Sequence, residues 1–338
     1  LRAELGNLRE ALAWSLEPER AEKRLRLVAA LGRFWGREGF EEGKWWLQVA
    51  LESDPGEFPA ARAKALGELG FILLFQQSYG PAIVALEEAV AIYKELGDES
   101  GAAFALGHLG YAVLHGDYGE RVPTFVREGE ALISGNLDGL SRAYLRIVLA
   151  AAALWKGDPD SAVSQLEESL ALSRGLGSLR DASMALFIWG MIELGRDDIE
   201  RGAKLLEDGA GTTRELKDML GASYYALALG KVEALRGRPI RAARLWGAAE
   251  SFREHMGVSL SHYDLTQSGY ERDLVLVRSA LSEASFEAAW AEGRTMSHDQ
   301  AFEFALEEPV SPDERNQAGS YSSAHPAVQH QAEGSGAR

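Results

Sequence analysis

Apolar positions recur along this chain at helical spacing, and from residue 61 they recur in blocks of forty. The blocks open at Ala61, Gly101, Ser141, Asp181 and Gly221. The tenth position is always small: Gly70, Gly110, Ala150, Gly190 and Gly230. The residue before it is always large and apolar: Leu69, Leu109, Leu149, Trp189 and Leu229. Twelve positions later four blocks carry a second small residue, Ala82, Ala162, Gly202 and Ala242. Leu86, Leu166, Leu206 or Trp246 follows four further on, then Ala89, Ser169, Gly209 or Ala249. The block from Gly101 reads one residue short, which puts Arg121 and Phe125 at the small and large places. Turn formers separate the two halves: Tyr79-Gly80-Pro81, Gly116-Asp117-Tyr118-Gly119, Gly157-Asp158-Pro159, Gly195-Arg196-Asp197-Asp198 and Gly237-Arg238-Pro239. They read as C-cap glycines followed by Asp caps or an early Pro. Each block therefore predicts two amphipathic helices that touch through their small residues. One such pair cannot bury its apolar faces, so pairs must stack.

The flanks predict more helix. Leu5, Leu8, Leu12 and Leu16 follow helical spacing. Ala21 to Trp35 reads as a helix, Gly36 to Gly43 as a turn, and Lys44 to Ser53 as another helix. Gly43, Leu47 and Ala50 repeat the small-large-small spacing, so residues 1–60 hold a degenerate first repeat before the five of residues 61–260. After Gly257 the rhythm stops, and Val258 to Thr266 is polar and broken. Tyr270 to Leu281, Glu283 to Glu292 and Asp299 to Leu306 read as helices, the last capped by Ser297. Residues 261–308 form a cap over the open end of the stack. Residues 309–338 are rich in Ser, Gly, Ala, Gln and Pro without periodicity and are expected to be disordered. The fold class is all-α.

This spacing resembles the tetratricopeptide repeat, with Leu69-Gly70, Ala82, Leu86 and Ala89 matching it residue by residue. The period is longer than that family's, and its closing Pro is absent. The resemblance implies an α-solenoid of stacked helix pairs. It also implies an inner groove lined at fixed offsets from the small Gly. Those offsets give Lys64, His108, Tyr111, His115, Tyr144, Trp155, Tyr224 and Lys231 as a ligand or partner groove, with Phe104, Val148, Met184 and Met191 alongside. Exposed aromatics on a concave surface suit a peptide or ligand. The competing reading is that these rings pack against the neighbouring pair, and it is preferred for Phe104 and Met184.

The net charge of −16 argues against nucleic acid or an anionic membrane as partner. Arg236, Arg238, Arg241 and Arg244 are read as a solvated turn and helix start facing acids. The chain has no cysteine, no apolar run of membrane-spanning length and no apolar leader, which fits the cytoplasm.

A second resemblance rests on the opening LRAELGNLREALAWSLE, on Arg241 to Glu254 and on Tyr270 to Leu306. These resemble the helical arm of bacterial LuxR-type transcription regulators of the signal-transduction ATPase class related to MalT. The likeness implies a non-catalytic sensor arm, covalently linked to an NTPase domain in a parent protein. Such an arm would bind a small effector or a protein partner. The NTPase and DNA-binding parts are not in this chain. It opens on Leu1 rather than Met, as expected of a piece of a longer protein. The alternative is a stand-alone tetratricopeptide scaffold for a peptide or protein.

No constellation calls for catalysis, a cofactor or a metal. Gly39-x-x-x-Gly43-Lys44-Trp45 is one residue short of a phosphate loop and carries Trp where a hydroxyl is needed. His108 and His115 stand seven apart, and His255, His262 and Asp264 lack metal-ligand spacing. The pairs Glu87-Glu88 and Glu167-Glu168 recur at one helix position, the mark of a solvated face rather than of acid–base work.

Overall fold

The computed structural model describes residues 4–54, 56–116, 118–256 and 264–307. The expected disordered tail, His262 and most of the expected broken stretch lie outside them. The described residues form helices α1 (Leu5–Trp14), α2 (Ala21–Glu38), α3 (Phe40–Glu52), α4 (Pro59–Phe75), α5 (Tyr79–Glu95), α6 (Glu99–His115), α7 (Val122–Ser134), α8 (Gly139–Trp155), α9 (Pro159–Leu176), α10 (Leu179–Gly195), α11 (Ile199–Leu216), α12 (Met219–Leu235), α13 (Pro239–Met256), α14 (Asp264–Ser279), α15 (Glu283–Arg294) and α16 (His298–Leu306). The first helices of the five pairs, α4, α6, α8, α10 and α12, begin at residues 59, 99, 139, 179 and 219, and each has 17 residues.

The small tenth residue is the crossing point. A Cβ on Gly70 would overlap Leu86, one on Gly110 would overlap Phe125, one on Gly190 would overlap Leu206, and one on Gly230 would overlap Trp246. Phe125 thus fills the large place in the shortened block. Its helix, α7, has 13 residues against 17 or 18 in the other second helices, α5, α9, α11 and α13. Trp246 occupies the Leu place and spends its indole N–H on the Leu227 carbonyl at 3.0 Å, so the ring carries no unmet donor. The third residue of each block is also small and buried: Ala63, Ala103, Ala143, Ser183 and Ser223. Ser169 donates to the Ala143 carbonyl at 2.8 Å across one such contact.

Aspartates start the helices. Asp98, Asp138, Asp158, Asp198 and Asp218 each accept from backbone N–H groups in the first turn of the helix that follows. Between the two helices of a pair the chain passes through a left-handed residue at a fixed place: Gln77, Gly157, Asp197 and Gly237. The expected turn at Tyr79-Gly80-Pro81 therefore falls two residues early, and those three residues open α5 instead.

Successive first helices pack side by side, α4 on α6, α6 on α8, α8 on α10 and α10 on α12. This arrangement sets the first helices in one row. α2 and α3 add a pair before α4, as the small-large-small spacing predicts. The expected turn over residues 36–43 is absent: α2 runs to Glu38, the chain breaks only at Gly39, and α3 begins at Phe40. Trp35 packs into the space left by Gly43, so the two helices meet without a longer loop.

At the other end α14 begins at Asp264, inside the stretch expected to be broken. α15 crosses α13 backbone to backbone, since a Cβ on Gly247 or Gly293 would overlap the main chain of Trp290 or Arg244. α16 folds back on α11, α12 and α13, started by the full capping box of Ser297 and Gln300. No helix among the described residues is long and apolar enough to cross a membrane.

Candidate functional site

The groove residues separate into two groups. Lys64 is on α4, His108, Tyr111 and His115 are on α6, and Tyr144 and Trp155 are on α8; Tyr224 and Lys231 lie further along on α12. Periodicity places the residues of each helix on one stripe. What fills the stripe differs from repeat to repeat.

The first group is an aromatic cluster. Phe104 rests on Gly67 of the preceding first helix, and Tyr144 lies over Gly107 in the same way. Each ring leans back onto the repeat before it, using the room a missing side chain leaves. His108 is only 7% exposed. Its Nδ1 lies 2.8 Å from the Phe104 carbonyl oxygen, which can only accept, so Nδ1 carries the proton. The His108 ring stacks on Phe104 at 4.3 Å and on Tyr144 at 5.5 Å, and meets Phe71 edge-on at 5.3 Å. His108 is therefore a structural member of this cluster. Tyr111 and His115 stack on each other at 4.2 Å and remain half-buried. Lys64 is exposed, and Trp155 is 51% exposed with its ring beside Gly119.

The second group is covered. Tyr224 is half-buried, its ring 6.0 Å from Phe187. Lys231 holds Asp273 of α14 at 3.0 Å and so anchors the cap instead of lining an open groove. Nearby, Tyr270 of α14 meets Trp246 edge-on at 5.3 Å, and burial pushes its phenol up to about 12. The burial preferred for Phe104 and Met184 is half met, since both sit at intermediate exposure. Phe71 and Asp273 were not singled out from the sequence. The same offset that picks Tyr111 would have picked Phe71. Asp273 carried no signal, because only the stacked fold brings α14 over α12.

The charged features resolve into ion pairs. Arg62 binds Glu88 at 2.7 Å, Arg146 binds Glu168 at 2.6 Å, and Arg121 binds Glu87, so the recurrent acids tie neighbouring helices together. The arginine cluster is not simply a solvated turn. Arg241 is 5% exposed, donates to Glu233 at 2.8 Å and to the carbonyls of Phe304 and Glu307 at 2.7 and 3.1 Å. It thereby satisfies the open end of α16. Arg236 reaches back to Glu200 at 2.8 Å, and Arg196 makes the same reach to Asp160.

Chemically, the first group offers ring faces and the ends of a lysine and a histidine along three parallel helices. No group of three His, Cys, Asp or Glu side chains converges among the described residues.

No family model matches the chain, and no curated protein matches it. Solved structures do. The crystal structure of aspartyl phosphate phosphatase F from Bacillus subtilis is 12% identical, with a TM-score of 0.50 over 72% of this chain and 63% of that one. The crystal structure of a Rap protein complexed with competence and sporulation factor is 12% identical, with a TM-score of 0.51 over 80% of this chain and 77% of that one. The chain thus spans less than two thirds of the phosphatase. At this identity the likeness is one of fold. It agrees with the forty-residue register: the chain is an all-α, tetratricopeptide-like solenoid of stacked helix pairs, closed by a C-terminal helical cap.

Proposed function

We propose that the chain is a regulatory repeat protein, without catalysis of its own, that holds a peptide or protein partner on the inner face of α4, α6 and α8. The observation that carries this is the aromatic lining of those helices, where Tyr111, His115, Tyr144 and Trp155 keep exposed or half-exposed rings above the buried His108. An extended peptide would lay apolar side chains on these rings and meet Lys64 at the edge. The fold likeness to a Rap protein complexed with competence and sporulation factor supports the reading.

The test pans a random peptide library on the purified chain and titrates the selected peptides. Lys64→Glu and Trp155→Ala are at exposed positions and are expected to leave the fold intact. Each is expected to weaken binding by about tenfold. Peptides that bind both variants like the parent chain would remove the inner face as the site.

A narrower version makes this segment the cytoplasmic sensor arm of a signal-transduction ATPase that regulates transcription. It rests on the resemblance of Tyr270 to Leu306 and of Arg241 to Glu254. A ligand that prefers one curvature of the stack would then bias a linked NTPase domain. Intact mass of the native protein, with peptide sequencing upstream of Leu1, tests it. A native chain without a phosphate-loop peptide would end this version and leave the broader one standing.

A further inference from the structure

A cavity of about 120 Å³ opens between α7, α8 and α9. Its floor is Val126, Leu149 and Ala153, and its edge carries Glu130, Lys156 and Asp158. Leu149 and Ala153 point away from the stripe of Tyr144 and Trp155, on the opposite side of α8 at one hundred degrees per residue. The cavity is therefore separate from the inner face.

The two following repeats fill the same place with their own side chains. Forty residues after Ala153 stands Glu193, and forty after that Glu233. Ser161 corresponds to Arg201 and Arg241, Leu149 to Trp189, and Lys156 to Arg196 and Arg236. In the next repeat Glu193 is 2% exposed, accepts from the Trp189 indole at 2.8 Å and has Arg196 and Arg201 within 3.7 Å. In the last repeat Arg241 closes on Glu233 at 2.8 Å and lies under the Phe304 ring. In the third repeat the carboxylate and the guanidinium are both missing, replaced by Ala153 and Ser161, and the space between α7, α8 and α9 stays open. Of the aligned charged positions only Lys156 remains charged.

We propose that this cavity binds a free amino acid with an apolar side chain, which supplies the missing carboxylate and cation itself. The carboxylate would lie by Lys156, as Glu193 lies by Arg196. The ammonium would face Glu130 and Asp158, and the side chain would cover Val126, Leu149 and Ala153. The volume suits it: a dry protein cavity of about 150 Å³ holds a benzene-sized group.

The test titrates the full chain by calorimetry with leucine, phenylalanine, glycine, leucinamide and 4-methylpentanoate. Leucine or phenylalanine is expected to bind, with glycine, the amide and the acid lacking an ammonium each about tenfold weaker or worse. Ala153→Glu with Ser161→Arg rebuilds the pair of the following repeats, and this variant is expected to lose the response. Lys156→Met, at an exposed position that does not threaten folding, is expected to weaken binding by about tenfold. Trp155→Ala is expected to leave it unchanged, which separates this site from the inner face. The inference is overturned if no amino acid gives heat at millimolar concentration, or if Lys156→Met binds like the parent.

Discussion

Leu86 of α5 occupies the space that a side chain on Gly70 of α4 would need. The same contact recurs between Leu206 and Gly190. Gly70→Trp or Gly190→Trp would force the two helices of a pair apart, and each is expected to cost about 3 kcal/mol or more. Gly211, inside α11 with open space around it, is the control. Gly211→Ala should raise stability by about 0.5–1 kcal/mol through helix propensity alone. Urea denaturation of the three variants checks both signs.

Asp138 binds the first turn of α8 and the Ser100 hydroxyl across repeats. Burial works to raise its pKa, but the hydrogen bonds from Ser100, Ser141 and Leu140 outweigh it and hold the carboxyl at about 2. A depressed carboxyl stabilises the fold above its unfolded pKa, and the contribution is lost as pH falls toward 2. Asp138→Ala is expected to cost about 1 kcal/mol at neutral pH. The gap between variant and parent should close as denaturation curves are taken from pH 5 down to about 2.

Tyr93 on α5 lies against Gly101, and burial, with Asp98 and Glu68 nearby, pushes its phenol up to about 12. Tyr270 is raised to about 12 as well, chiefly by burial. A raised phenol favours the folded state while it is protonated, so its contribution is intact below pH 10 and is lost as pH climbs to 12. The protein is expected to lose stability over that window, and Tyr93→Phe should flatten the loss. Melting temperatures at pH 9 and pH 11 give the comparison.

Arg241 joins Glu233 to the end of α16. Arg241→Met leaves a buried carboxylate short of its closest cation and frees the carbonyls of Phe304 and Glu307. A loss of about 3 kcal/mol is expected, together with faster hydrogen exchange confined to α16. Uniform exchange through α12 and α13 would show instead that the pair supports the stack itself.

The period, the helix pairs and the Gly–Leu crossings could be read from the sequence because each is a local rule repeated at a fixed step. Phe125 shows the strength of this, since a one-residue shortening predicted its place. Turn positions were less accessible. The left-handed residue is Gln77 in the first block and Asp197 in the fourth, neither of which advertises itself as a glycine would. The sequence lists the expected groove positions but does not show how they divide. Nothing near His108 in sequence says that Gly67 and Gly107 let the rings sink onto the preceding helix. Lys231 looked open for the same reason, because its partner, Asp273, is 42 residues away in a helix whose packing the pattern does not encode.

The apolar interior divides at α8, and a further part separates around α12 and α13. Leu145, Val148, Leu149 and Ala152 belong to the interior of the first half, while Ile147 and Ala150 belong to that of the second. In a one-dimensional array each unit is held by its neighbours, and the boundary between melted and intact units settles where coupling is weakest. α8, behind the short α7, is one such place, and the step onto α12 is another. Under force or denaturant the molecule should part at these places into a few cooperative blocks. A pulling trace would show a few rips, each longer than one repeat, rather than a staircase of single repeats.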